Sequence, residues 1–148
     1  MERDRAEDRA PDTISPMWLA HHYPEDYDRC VRLGRTYVCR RCLVLYPIAF
    51  SVLALAALGA RWPSSLDPWL LVLLPLPAVV EFVAEHLGLI PTRAGLQVAV
   101  TVPLGVALGA GFWRYLHHPA DLLWWGVVVL YGGICFASVL LGARRAST

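Results

Sequence analysis

Between His21 and Cys42 the chain places two histidines, three cysteines, three acids and five arginines in 22 positions, directly ahead of a long apolar run. Cys39 and Cys42 have the two-residue spacing that lets both sulfurs reach one ion. Cys30 with His21 or His22 would complete a tetrahedral Cys3His site for zinc. The segment 17–42 is too small and too polar to build its own core, so it needs a cross-link to hold a shape. Cys39 and Cys42 also support a reactive dithiol. Cys42 falls at the N-terminus of the first apolar helix beside Arg40 and Arg41, where the helix dipole and both cations favour its thiolate. A third reading leaves the cysteines reduced and unliganded, with the arginines anchoring the helix to anionic headgroups.

A second constellation lies inside an apolar run. Glu81 and Glu85 are four residues apart, about 40° on a helical wheel, so their carboxylates share one face, while His86 points about 100° from Glu85. An ionisable group near mid-membrane costs about 2.5–3.5 kcal/mol on insertion scales, which suggests use. Gln97 and Thr101, one turn apart on the following helix, are expected to face the same cavity, with Arg93 at its mouth as a charge partner. Glu81, Glu85 and His86 are the candidate catalytic residues, and Arg93, Gln97 and Thr101 line the polar cavity. The alternative is structural: Glu85 paired with Arg93, Glu81 protonated and hydrogen-bonded between helices. His117, His118 and Asp121 read as a solvated loop, and Cys135 as a small apolar filler.

These side chains must be positioned by membrane helices. The chain is 57% hydrophobic over 148 residues, with a mean hydropathy of +0.47, more than a soluble domain of this size needs. Four apolar runs, about 43–60, 69–90, 94–113 and 122–142, each reach the length that crosses a hydrocarbon layer. The fold class predicted is an all-α integral membrane protein of four transmembrane helices with an N-terminal cytoplasmic Cys/His segment. Residues 1–16 carry five acids, three arginines and two prolines without apolar period, and read as a disordered tail. Residues 17–42 form the Cys/His segment, 43–142 the membrane domain and 143–148 a cytoplasmic tail. The short connections "RWPSSLDP", "PTR" and "HHPAD" make neighbouring helices antiparallel. "GVALG" at 105–109 and Gly132-Gly133 are helix-packing features, and Pro75, Pro77 and Pro103 are kinks.

Sidedness follows from arginine. Arg29, Arg32, Arg35, Arg40, Arg41, Arg93, Arg144 and Arg145 fall on one side and Arg61 and Arg114 on the other. The positive-inside bias places both termini in the cytoplasm. Trp62, Trp69, Trp113, Trp124 and Trp125 gather at the opposite helix ends, as an interfacial belt does. With no apolar stretch before residue 43 long enough for a signal peptide, the first run is expected to stay in the protein. All 13 basic residues are arginine, which fits a GC-rich bacterial genome. The net charge of +1 gives no reason to expect a nucleic-acid partner.

At the Cys/His segment the chain resembles a family of small bacterial multi-pass proteins grouped as domain of unknown function 2085. His21-His22-Tyr23-Pro24-Glu25 is similar to the family's Cys-His-x-x-Pro-Glu-Arg-Ser run. Cys39-Arg40-Arg41-Cys42-Leu43-Val44-Leu45-Tyr46 is similar to its Cys-x-Arg-Cys-x-Gly-x-Tyr run entering the first helix. Residues 81–86 and "PTRAGLQ" at 91–97 match a later polar stretch more loosely. His21 stands where the family has cysteine, Val44 where it has glycine, and Asp26 where it has arginine. Histidine for cysteine keeps a zinc ligand and removes a disulfide partner, so the departure favours metal. The resemblance implies fold and site position but no reaction.

The expectation is therefore a zinc-binding membrane protein whose Cys/His segment forms a cytoplasmic lid over an acidic intramembrane pocket. Three functional classes fit it. One is a metal-dependent enzyme acting on a lipid or small apolar substrate with Glu85 or Glu81 as general acid or base. The others are a small transporter or metal-handling protein using the carboxylates, and a partner-binding subunit with structural zinc. Membrane lipids are the expected surroundings in each case.

Overall fold

A computed structural model describes residue 27 and residues 29–60 and 62–146; His21 and His22 lie outside them. The chain divides into two compact units after Leu43. In the first, strands β1 (Cys30–Leu33) and β2 (Thr36–Cys39) pair antiparallel, and helix α1 (Arg40–Ala57) starts immediately after β2. The hairpin corrects the all-α expectation. Val31, Thr36, Tyr37 and Val38 are the β-branched and aromatic residues that suit strands, and Gly34 at φ 62° supplies the left-handed loop residue of a two-residue turn. Arg32 Nε donates to the Gly34 carbonyl at 3.0 Å, and Tyr27 stacks on Tyr37 with ring centroids 4.2 Å apart.

The second unit is helical. After α1 come a short 3-10 turn (Ser64–Leu66), α2 (Asp67–Leu73), α3 (Leu76–His86), α4 (Ala94–His117) and α5 (Leu122–Ala146). They supply four segments long and apolar enough to cross a membrane: Arg40–Ala57, Ser64–His86, Ala94–His117 and Leu122–Arg145. The protein is a multi-pass membrane protein. The second span is two helices rather than one kinked helix, because Pro75 and Pro77 both lack the N–H that would continue the ladder. Tyr131 on α5 donates its hydroxyl to the Val72 carbonyl beside this break at 2.6 Å.

α4 is the central helix: 44% of its apolar window is buried, against 6% for α5. Glycine makes that possible. A Cβ on Gly109 would stand 2.5 Å from the Ala49 carbonyl oxygen of α1, and one on Gly105 would stand 2.9 Å from Cβ of Ile48, so α1 and α4 touch backbone to backbone. Gly111 makes room in the same way for the Trp124 ring. Trp124 is buried with Leu71 and Ala110, which corrects its placement in an interfacial belt. Trp69 and Trp125 are exposed and do suit one. A Cβ at Gly132 or Gly133 would meet nothing within 4 Å, so no packing among the described residues requires glycine there.

Candidate functional sites

The first unit gathers three thiols at the corner between hairpin and helix. Cys30 and Cys39 are direct partners across the two strands, both buried. Hydrogen-bonded and open pairs alternate along an antiparallel ladder, and Leu33 and Thr36 close the loop. Cys30 and Cys39 therefore form an open pair, where side chains approach most closely. Cys42 follows three residues after Cys39, in the first turn of α1. Its thiol is hydrogen-bonded to that of Cys39, with Cys30 near enough to be felt electrostatically. Arg40, expected to favour the Cys42 thiolate, turns instead to the hairpin backbone, where Nη2 donates to the Cys30 carbonyl at 3.4 Å.

None of the four cysteines forms a disulfide. Among the described residues no group of three or more His, Cys, Asp or Glu takes up a metal-holding arrangement. Cys30, Cys39 and Cys42 are of a ligand type that zinc accepts. A fourth ligand from His21 or His22 lies outside the described residues.

The second site is inside the helical unit. Glu81 and Glu85 on α3 are both buried, at 5% and 8% exposure, and so are Gln97 at 2% and Thr101 at 0% on α4. Glu85 Oε1 accepts from the Thr92 hydroxyl at 2.7 Å, and Oε2 accepts from Gln97 Nε2 at 3.2 Å. Thr101 donates to the Gln97 carbonyl at 2.5 Å, a bond back into its own helix. The loop geometry that brings Thr92 home is fixed by Gly88. It adopts φ 72° just past α3, its N–H bonds the Glu85 carbonyl at 3.0 Å, and the Leu89 N–H bonds the Ala84 carbonyl at 2.8 Å, a Schellman cap.

Two of the expected members stand apart. Arg93 is exposed and serves as the residue before α4, so the neutral Thr92 rather than Arg93 meets Glu85. His86 turns away from the carboxylates. Its ring stacks on Phe82 at 3.9 Å, and Nδ1 lies 2.8 Å from the Phe82 carbonyl.

A third polar cluster, read from sequence as loop and interface, sits at the other end of the helices. Arg114 on α4 pairs through Nη1 with Asp67 Oδ2 and through Nη2 with Asp121 Oδ2, and its Nε donates to Asp121 Oδ1 at 3.3 Å. Trp62 Nε1 donates to Asp67 Oδ1 at 2.7 Å. Asp121 also caps α5, accepting the Trp124 N–H at 2.8 Å. The Arg114 guanidinium first, and this backbone N–H second, hold the Asp121 carboxyl below its ordinary range. The only sequence signal was one charged residue at each of three span ends, a pattern that solvated ends share.

The class defined by these features is a multi-pass membrane protein with a thiol-rich hairpin and a buried carboxylate between two of its helices. Comparison of the chain with protein-family models, with curated proteins and with solved structures finds no match in any of the three.

Proposed function

We propose that this is a zinc-binding protein of a bacterial cytoplasmic membrane, with Cys30, Cys39, Cys42 and one of His21 and His22 as ligands. The observation that carries the reading is the open cross-strand pair Cys30 and Cys39 with the Cys42 thiol hydrogen-bonded to Cys39. Two four-residue strands are marginal in water without a further tie, and zinc supplies one, because its binding energy is folding energy for so small a segment. The similarity of residues 21–46 to the family named above supports the same ligand positions. Elemental analysis of the purified protein is expected to give about one zinc per chain, with Cys30, Cys39 and Cys42 slow toward a thiol reagent until a chelator is added. Zinc-free protein with all three thiols reacting at once would end this reading. Zinc-free protein in which two cysteines react only after a reductant is added would instead mean that Cys30 and Cys39 are joined as a disulfide, which their cross-strand register allows.

Both termini face the cytoplasm in this proposal. The arginine asymmetry supports it, and Arg114, one of two arginines on the opposite side, is taken up by Asp67 and Asp121. Active cytoplasmic reporters fused at either end are the expected result; an active periplasmic reporter at the C-terminus contradicts it.

The buried carboxylate is the reactive group of the proposal. Thr92 and Gln97 hold one Glu85 oxygen each and so fix the orientation of the carboxylate. Glu85, with Glu81 one turn before it, acts as general acid or base toward a lipid or small apolar substrate arriving from the bilayer. Glu85→Gln keeps two polar contacts once Gln97 flips its amide, so it is expected to fold normally and to change the lipid profile of cells dependent on the protein. An unchanged profile in Glu81→Gln and Glu85→Gln strains would make both residues structural. A cation- or proton-handling role uses the same carboxylates and predicts altered ion uptake with an unaltered lipid profile.

A further inference from the structure

The cluster around Arg114 has no part in the function proposed above, yet it borders a cavity. Trp62, Ser64, Asp67 and Trp113 line a space of about 200 Å³. Trp62 also walls an apolar cavity of about 310 Å³ whose other residues include Val52, Leu55, Leu66, Leu70 and Val106. Trp113 is packed at 4.1 Å against the His117 ring. Arg114 contributes one positive charge to the cluster, and Asp67 and Asp121 contribute two negative ones, which leaves a net −1 among these described side chains. The held ionisation of Asp121 keeps that charge in place.

We infer that this site binds a small alkylammonium ion, with the cationic head in the Trp62 and Trp113 cavity and the alkyl tail in the adjoining apolar one. Indole rings attract a weakly hydrated organic cation through their negative faces. The excess carboxylate charge attracts the same group at longer range. The apolar cavity takes the tail away from water. An alcohol of the same length has no charge for the first two effects, and an alkyl sulfate has the wrong sign. A phospholipid headgroup carries a phosphate beside its ammonium, which the net −1 repels, so the occupant is a free alkylammonium rather than a lipid.

Isothermal titration of hexyltrimethylammonium into the full-length protein in a nonionic detergent tests this, at low salt and pH 8. One saturable site per chain is expected, with hexanol binding at least about tenfold more weakly and hexyl sulfate not binding. Asp121→Asn keeps the α5 cap and a hydrogen bond to Arg114 while removing the excess charge, and is expected to weaken binding about tenfold with a native unfolding midpoint. Trp113→Phe weakens it by a smaller factor, since phenyl is a poorer cation receptor than indole, and Glu85→Gln leaves it unchanged. The inference fails if hexanol binds as tightly as the ammonium, or if Asp121→Asn and Trp113→Phe both bind like the wild type. It fails too if dihexanoylphosphatidylcholine displaces the ammonium at equal concentration, because the occupant would then be a lipid headgroup.

Discussion

The hairpin unit and the helical unit hold their shapes by opposite means. In the helical unit, glycine brings backbones together: Gly105 and Gly109 against α1, Gly111 against Trp124, and Gly142 with its Cβ position 2.3 Å from the His86 carbonyl oxygen. Close van der Waals contact and satisfied polar groups do the work that the hydrophobic effect does in water. The hairpin has strands of four residues, one stacked tyrosine pair and three gathered thiols. Nothing among its described residues amounts to a core, and the zinc proposed above would supply the tie that the hairpin lacks. One unit is stabilised by contacts spread along helices, and the other, on the zinc proposal, by a single point.

That contrast predicts how each unit breaks. Cys39→Ser removes the ligand that both other thiols approach, and is expected to abolish zinc binding and leave the amides of β1 and β2 exchanging as in an unfolded chain. Hydrogen exchange read by mass spectrometry should show α4 and α5 protected as before; loss of protection there would mean that the two units are not independently held. Arg114→Ala is the corresponding break in the helical unit. Asp67 is left as a buried, unpaired carboxylate, and the variant should lose about 3 kcal/mol in unfolding free energy. That is the low end for a broken buried pair, because Arg114 is 23% exposed. Gly109→Ala forces a methyl against the Ala49 carbonyl and Val52, and is expected to cost about 1–3 kcal/mol, read as a lowered thermal midpoint with zinc content unchanged.

The smallest effect is on pH. The folded Asp121 carboxyl titrates below its ordinary value, so its contribution to stability is complete above the ordinary carboxylate range and is lost as pH falls through the lower, folded value. Wild-type protein should therefore lose a few tenths of a kcal/mol more than Asp121→Asn on strong acidification, since solvent still reaches this partly buried pair and screens it. Equal losses in the two proteins would show that Arg114 draws no stability from Asp121.

Much of this was legible beforehand. Four spans follow from hydropathy alone, and the 81/85 spacing put two carboxylates on one helix face that the fold does bury. Gln97 was legible too, as a lone amide in an apolar run. Thr92 was not, because its approach to Glu85 depends on the left-handed Gly88 and the cap it closes, which no periodicity reports. The hairpin was hidden by its cysteines. "VRLGRTYV" carries a two-residue Gly-containing loop between short β-prone stretches, but the thiols drew the reading toward ligand spacing alone. Arg114, Asp67 and Asp121 were read separately because each sits at a span end, where charge needs no partner; only the crossing of α2, α4 and α5 brings them together.

The claim on which the rest depends is that the three thiols share one ion. Zinc-edge X-ray absorption on the purified protein measures its ligands directly. Three sulfurs at about 2.3 Å and one nitrogen at about 2.0–2.1 Å are predicted, with the nitrogen lost when His21 and His22 are both replaced by alanine. An ion surrounded only by oxygen and nitrogen would place the metal elsewhere and leave Cys30, Cys39 and Cys42 without the role assigned to them.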